Sequence, residues 1–181
     1  MIKYAITDPN FYKDLSFAFG NFTALQDVDF VLLRDQSSNN YQELAKDFLS
    51  FKDSFRAKFI LHNDISLAVK LGADGVHFSS ARLQYIPNTP PNLIKIASTH
   101  NVLEILTACR NGANYITFSP IFECGKGAPK GVEELKKAVH IASRFKVGVI
   151  ALGGILGKKH ISLVMGGGAV GFGSIRYFAH C

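Results

Sequence analysis

The run Leu61 to Phe78, LHNDISLAVKLGADGVHF, constrains the fold more than any other stretch of the chain. Ala57 to His62 has the apolar character of a buried strand. Ile65, Ala68, Val69 and Leu71 share one helix face. Gly72 falls where a helix C-terminus takes a residue tolerating positive φ, and Gly75 to Phe78 opens a second strand. Strand, crossover helix and strand make the parallel βαβ unit. In parallel α/β proteins the chemistry sits just past the strand ends. Here those positions hold Asn63 and Asp64, then Ser79, Ser80 and Arg82.

The same grammar recurs. Helix, glycine and strand meet at Gly72-Ala73-Asp74, Gly112-Ala113-Asn114 and Gly167-Gly168-Ala169. Strands are predicted over 2–7, 29–33, 58–62, 75–78, 93–97, 115–118, 147–152 and 169–172. Helices are predicted over 11–19 (closed by Gly20), 41–52, 102–110, 132–145 and 160–165. In the clearest of them Val132, Leu135, Val139 and Ala142 are spaced for one face. The Pro-rich stretch from Gln84 to Asn92 lacks a full helical pattern, and Gly125 to Gly131 reads as a mobile Gly, Lys and Pro loop. Eight strands alternating with helices predict an α/β fold, the (β/α)₈ TIM barrel, as one domain over residues 1–181. With 181 residues the chain is short for this fold, so several helices must be reduced. A doubly wound sheet is the competitor, but no Gly-rich phosphate fingerprint follows the first strand.

Composition narrows the classes. Hydrophobic residues make up 48% and mean hydropathy is +0.14, as in a globular chain. Apolar runs are strand-length, which argues against a membrane span. The start MIKYAITD reaches an acid at Asp8 with no long apolar run, which argues against a secretory leader. Cys109, Cys124 and Cys181 are odd in number and lack ligand spacing, which fits a reducing, cytoplasmic setting. The net charge is +6 and the pI about 9.3. Lys and Arg are scattered and no nucleic-acid motif appears, which argues against nucleic acid; a phosphorylated small molecule explains the excess as well, and a basic surface explains it without any ligand.

Several residues stand at strand ends. Gly153-Gly154 after strand seven and Gly173-Ser174 after strand eight lie where barrels commonly hold a phosphate on backbone N–H groups; tight turning is the competing reading. Arg34 ends strand two and suits a phosphate or carboxylate, or else a salt bridge to Asp35 or another rim acid. Asn63 and Asp64 offer oxygens that Mg²⁺ accepts, while Asp64 equally suits the N-cap of the next helix. His100, beside Ser98 and Thr99, can move protons near neutral pH or make one structural hydrogen bond. His77 reads as core or rim. Lys126 lies in the loop after strand six, able to fold over an anion or simply solvated.

YAITDP, FVLLRDQ, LHNDISLAVKLGADGVHF, STH, YITFSPIFECGKGAPKG and VIALGGI, in this order, resemble the thiamine phosphate synthase / TenI family over nearly the whole chain. The resemblance implies a barrel binding a thiazole phosphate at the C-terminal strand ends. Two activities follow from it: a Mg²⁺-dependent synthase joining a pyrimidine methyl diphosphate to the thiazole phosphate, and a metal-free thiazole tautomerase that aromatises a thiazole carboxylate phosphate by moving a proton. It implies a diphosphate contact for Arg34, a pyrimidine or diphosphate contact for Asn63, and the first Mg²⁺ ligand in Asp64. It implies a diphosphate contact for Ser98, the loop lysine in Lys126, a phosphate cradle of Gly153, Gly154 and Ser174 beside Gly173, and the tautomerase histidine in His100. A homodimer stays open.

The departures bear on the branch. Where the synthase pattern has lysine and glutamine around the arginine, this chain has Gln36 and Leu32. Where it has a second metal-binding acid, this chain has Ser79-Ser80-Ala81-Arg82. A cation beside Mg²⁺ repels it, at a cost of several kcal/mol where screening is poor. Arg82 instead suits direct contact with a phosphate or carboxylate. The expected function is therefore TenI-like, with His100 as proton carrier. A divergent synthase and a non-catalytic phosphate-binding barrel are the alternatives.

Overall fold

The computed structural model describes residues 1–11, 15, 27–35, 37–125 and 127–179. Eight parallel strands close into a barrel in chain order. They are β1 (Ile2–Ile6), β2 (Phe30–Leu33), β3 (Lys58–His62), β4 (Gly75–Phe78), β5 (Ile94–Thr99), β6 (Tyr115–Phe118), β7 (Gly148–Leu152) and β8 (Gly171–Ser174). Around them run helices α1 (Tyr41–Ser50), α2 (Ile65–Leu71), α3 (Val102–Arg110), α4 (Gly131–Ser143), α5 (Lys158–Gly166) and the single turn α6 (Arg176–Ala179). Between β4 and β5 a 3₁₀ segment, Ser80–Asn88 with Pro87 inside it, stands in for a full helix. The barrel and its reduced helices match the expectation. The helix predicted over 11–19 falls almost wholly outside the described residues.

The period-two alternation of the strands divides the apolar residues into two cores. Tyr4, Ile6, Phe30, Leu32, Ile60, Ile96 and Ile150 fill the barrel. Val31, Leu33, Phe59, Leu61, Val76, Phe78, Ile116, Val149 and Phe172 point outward and join the helix faces. Inside, Tyr4 meets Phe30 edge-on at 5.9 Å, and Phe30 meets Tyr115 at 5.5 Å. Each such side chain contributes about 1.5–3 kcal/mol by leaving water. The space is tight: a Cβ at Gly171 would collide with the Ile2 carbonyl.

Registers set what reaches the mouth. His62 pairs with His77, His77 with Ile96, and Ser98 with Thr117. The inward His62, His77, Ser98 and Thr117 stand at the C-terminal side of the aliphatic fill, so polarity rises toward the rim.

The structure shifts some boundaries. β5 runs two residues beyond the predicted end and takes Ser98 and Thr99 into the sheet. Thr99 is buried and donates to the Thr117 carbonyl at 2.9 Å, so its polarity is satisfied within the sheet. β8 lies two residues later than predicted, which makes Gly173 and Ser174 its last residues rather than a following loop. Glycines that carry no side-chain pattern hid where that strand begins and ends. On α2, Leu67 and Ala68 are buried while Val69 is more than half exposed, so the inward face is rotated from the predicted one. On α4 the buried positions are Leu135, Ala138 and Ala142, with Val132 and Val139 half-buried beside them, and the helix already starts at Gly131.

Candidate functional site

A cavity of about 530 Å³ opens at the C-terminal mouth of the barrel. Its floor is Ile6, Leu32 and Leu152. Its polar wall includes Asp8, Arg34, His62, His77, Ser98, His100, Ser119 and Arg176, and Gly153, Gly154 and Ser174 line the far side. Cys124, Leu156 and Phe11 close the edge.

Arg34 follows β2, and its N–H donates to Thr7 Oγ1 at 3.0 Å. Its guanidinium lies 3.3 Å from the buried carboxylate of Asp8. The partner is thus a rim acid, not Asp35, which instead accepts from Ser37 and Ser38. Asp8 also accepts from the Asn10 backbone and side chain at 3.0 and 2.8 Å.

His100 stands between β5 and α3. Its N–H donates to Glu104 at 2.7 Å, and Asn101 caps α3 through Glu104 N. Its Nδ1 lies 3.0 Å from the Ser119 carbonyl. A carbonyl only accepts, so Nδ1 carries the proton and the neutral ring keeps its lone pair at Nε2.

The barrel supplies two more imidazoles. His77 is buried, with Nδ1 2.8 Å from the Tyr4 hydroxyl and Nε2 2.7 Å from Ser98 Oγ. His62 stacks obliquely on it at 6.1 Å. Burial, and then the Arg34 charge, lower His62 to about 4. Burial, then His62 and Arg34, lower His77 to about 3. Both rings are neutral at pH 7; of arginines and lysines, the described lining residues include Arg34 and Arg176.

Beyond β7 the chain turns through Gly153 (φ 96°) and Gly154 (φ 69°). A Cβ at Gly153 would stand 2.7 Å from Pro120 Cα, and one at Gly154 2.7 Å from the Glu123 carbonyl oxygen. The loop after β6 therefore packs directly on this turn. Ser174 donates to the Ile155 carbonyl at 2.9 Å and accepts from Tyr177 N at 3.1 Å. Its hydroxyl is thus engaged in holding the loop.

Of the predicted positions, Arg34, Ser98, His100, Gly153, Gly154 and Ser174 line one cavity. Asn63, at φ 59°, instead holds Ser79 through bonds of 2.8 and 3.2 Å. Asp64 caps α2, accepting from Leu67 N at 2.8 Å. Arg82 is exposed and lies over the Tyr85 ring at 5.4 Å, on the outer 3₁₀ segment. Asn63, Asp64, Arg82 and Gly173 are not among the lining residues. Lys126 and Gln36 lie outside the described residues. Sequence reasoning left Asp8, His62, His77, Ser119 and Arg176 out of the site. Asp8 and Arg176 carried a signal, being charges next to strand ends.

No group of three His, Cys, Asp or Glu side chains is placed to hold a metal among the described residues. Asp64 is engaged as a cap, and the position of a second acid carries Arg82. Among the described residues, the donors at these positions do not by themselves make a divalent-cation site.

A family model described as thiamine monophosphate synthase matches residues 3–177. The chain belongs to that family. Thiamine-phosphate synthase from Chlorobium phaeobacteroides is 31% identical over 82% of this chain and 74% of its own length. The enzyme of the same name from Halalkalibacterium halodurans is 30% identical over 92% of this chain and 82% of its own. The solved thiamine phosphate pyrophosphorylase of Pyrococcus furiosus superposes with a TM-score of 0.78 at 25% identity, covering 96% of this chain and 85% of that one. An aldolase at 15% identity and a TM-score of 0.70 shares the fold alone. In this member of the family, no described helix is long and apolar enough to cross a membrane.

Proposed function

We propose that this member of the family binds a thiazole phosphate at the barrel mouth and moves a proton on it, as the tautomerase branch does. The phosphate lies against the Gly153-Gly154 turn and Arg176. The acidic or carboxylate side faces Arg34 and Ser98. His100 Nε2 takes a proton from the thiazole carboxylate phosphate and returns it to another position of the same molecule. The ring becomes aromatic and no other atom is gained or lost. The carrying observation is the bond from His100 Nδ1 to the Ser119 carbonyl, which leaves Nε2 as a base. No step runs through a metal.

A divergent synthase is the second reading, favoured by the names of the relatives and by Arg34 and Ser98 standing in the cavity. That reaction releases pyrophosphate and, in the family, uses Mg²⁺. Two assays on one preparation separate the readings. Conversion of the thiazole carboxylate tautomer without Mg²⁺, with no pyrophosphate from the paired substrates, supports the first. Pyrophosphate release above background with Mg²⁺ overturns it. The three separated cysteines, of which Cys109 and Cys124 are free, suit a reducing compartment such as the cytoplasm.

A further inference from the structure

Three buried or half-buried side chains form a continuous chain from the barrel floor to the cavity. Tyr4 OH lies 2.8 Å from His77 Nδ1, and His77 Nε2 lies 2.7 Å from Ser98 Oγ. Tyr4 is fully buried and its hydroxyl has no other hydrogen-bond partner among the described residues. The phenol keeps its proton, because burial holds it well above its ordinary value of 10. A buried O–H left unmatched is costly, so that proton must point at the one acceptor present, Nδ1. Nδ1 is then a lone pair, and the ring proton sits on Nε2. Nε2–H in turn donates to Ser98 Oγ. One oxygen lone pair of Ser98 is filled from below, and its own proton is turned toward the cavity.

We propose that Tyr4, acting through His77, fixes Ser98 as a hydrogen-bond donor, so that the site selects a ligand presenting an acceptor atom at that point. This deepens the proposed function and rests on the cavity being the ligand site. Ser98 is then not an activated nucleophile: an imidazole that donates to a hydroxyl has no lone pair there to take its proton. The acceptor in the proposed substrate is its carboxylate, beside Arg34. A ligand offering only donors at that position can reach just the remaining Ser98 lone pair and leaves the Ser98 O–H without an acceptor, so it binds more weakly. Tyr4 and His77 are positioning residues. They act on the ligand through Ser98.

The test reads the tautomer directly. In uniformly ¹⁵N-labelled full-length protein without ligand, two-dimensional NMR of the imidazole nitrogens should find His77 protonated at Nε2 and unprotonated at Nδ1. Finding the Nδ1–H form overturns the proposal. In Tyr4→Phe, nearly isosteric, the His77 signals should shift toward a mixture of tautomers. Binding of the thiazole carboxylate phosphate should weaken about threefold to tenfold in Tyr4→Phe and in Ser98→Ala. The double variant should lose no more than Ser98→Ala alone; fully additive losses overturn the relay. The thiazole phosphate lacking the carboxylate should be insensitive to both changes. If neither compound binds wild type, the ligand reading fails, and the NMR result still decides the relay.

Discussion

His100 Nδ1 and the Ser119 carbonyl oxygen lie 3.0 Å apart, joining the end of β5 to the end of β6 across the cavity edge. The bond sets both the ring's orientation and its tautomer, and a base works only if its lone pair faces the substrate. His100→Ala should therefore lower kcat for the thiazole tautomer by about 100- to 10,000-fold, with KM moved far less. Steady-state kinetics on the purified variant check this; equal rates remove His100 from the chemistry.

The role of Asp64 divides along the same line. Its Oδ1 accepts from Leu67 N, an N-cap contact. Asp64→Ala should destabilise the fold by about 1 kcal/mol and Asp64→Asn by less, since asparagine caps nearly as well. Chelation with EDTA should leave the proton-transfer rate unchanged. Denaturant midpoints and rates with and without chelator measure both; a rate that collapses on chelation restores a metal role.

Much of this was legible in the chain itself. The α3 boundaries and strands β3, β4 and β6 lie where periodicity and flanking glycines put them. Arg34 and His100 reach one cavity because every strand end of a barrel points to the same rim. What stayed hidden depends on three dimensions. β8 reads GFGS, and its first glycine, Gly171, is required by the crowding of Ile2, a neighbour 169 residues away in sequence but adjacent in the sheet. His77 read as core or rim because it falls within a predicted strand; only the register with His62 and Ile96 turns it toward Ser98. Arg82 looked like a site cation, yet the 3₁₀ segment carries it outward onto Tyr85.

The Asp8–Arg34 pair predicts an asymmetry. Asp8 is buried while Arg34 is about a quarter exposed. Asp8→Ala leaves the guanidinium short of this partner and should cost about 1–3 kcal/mol of stability. Arg34→Lys keeps the charge but loses the planar fork, so it should weaken ligand binding more than it weakens the fold. Calorimetric titration and thermal melts of the two variants separate these effects; equal losses in both measurements count against a ligand role for Arg34.

Acid should destabilise the protein through its two barrel histidines. His62 and His77 are held at about 4 and about 3, below the ordinary 6.5. Between those values and pH 6.5 the unfolded chain binds protons that the folded chain does not, so stability falls as pH falls. Above 6.5 both states are neutral and the contribution is complete. Each histidine should add a slope of at most about 1.4 kcal/mol per pH unit in that window. His77→Gln should flatten the dependence measured by urea unfolding between pH 7 and pH 5. A wild-type slope retained in the variant rejects the assignment.

The Gly153-Gly154 turn makes the sharpest demand on residue type. Gly154 has φ 69°, and a Cβ there would stand 2.7 Å from both the Phe122 carbonyl carbon and the Glu123 carbonyl oxygen. These are backbone atoms, so no rotamer change relieves the overlap. Gly154→Ala should displace the loop after β6, costing about 1–3 kcal/mol of stability. It should also lower affinity for thiazole phosphate, because the same turn carries the amides nearest the proposed phosphate. Gly166 provides the contrast: it ends α5, has no positive φ, and a Cβ there would touch nothing within 4 Å. Gly166→Ala should be neutral or stabilising by about 0.5–1 kcal/mol, with binding unchanged. Thermal melts and calorimetric titration of the two variants compare them directly; a Gly154→Ala protein that binds like wild type rules this turn out as the phosphate seat.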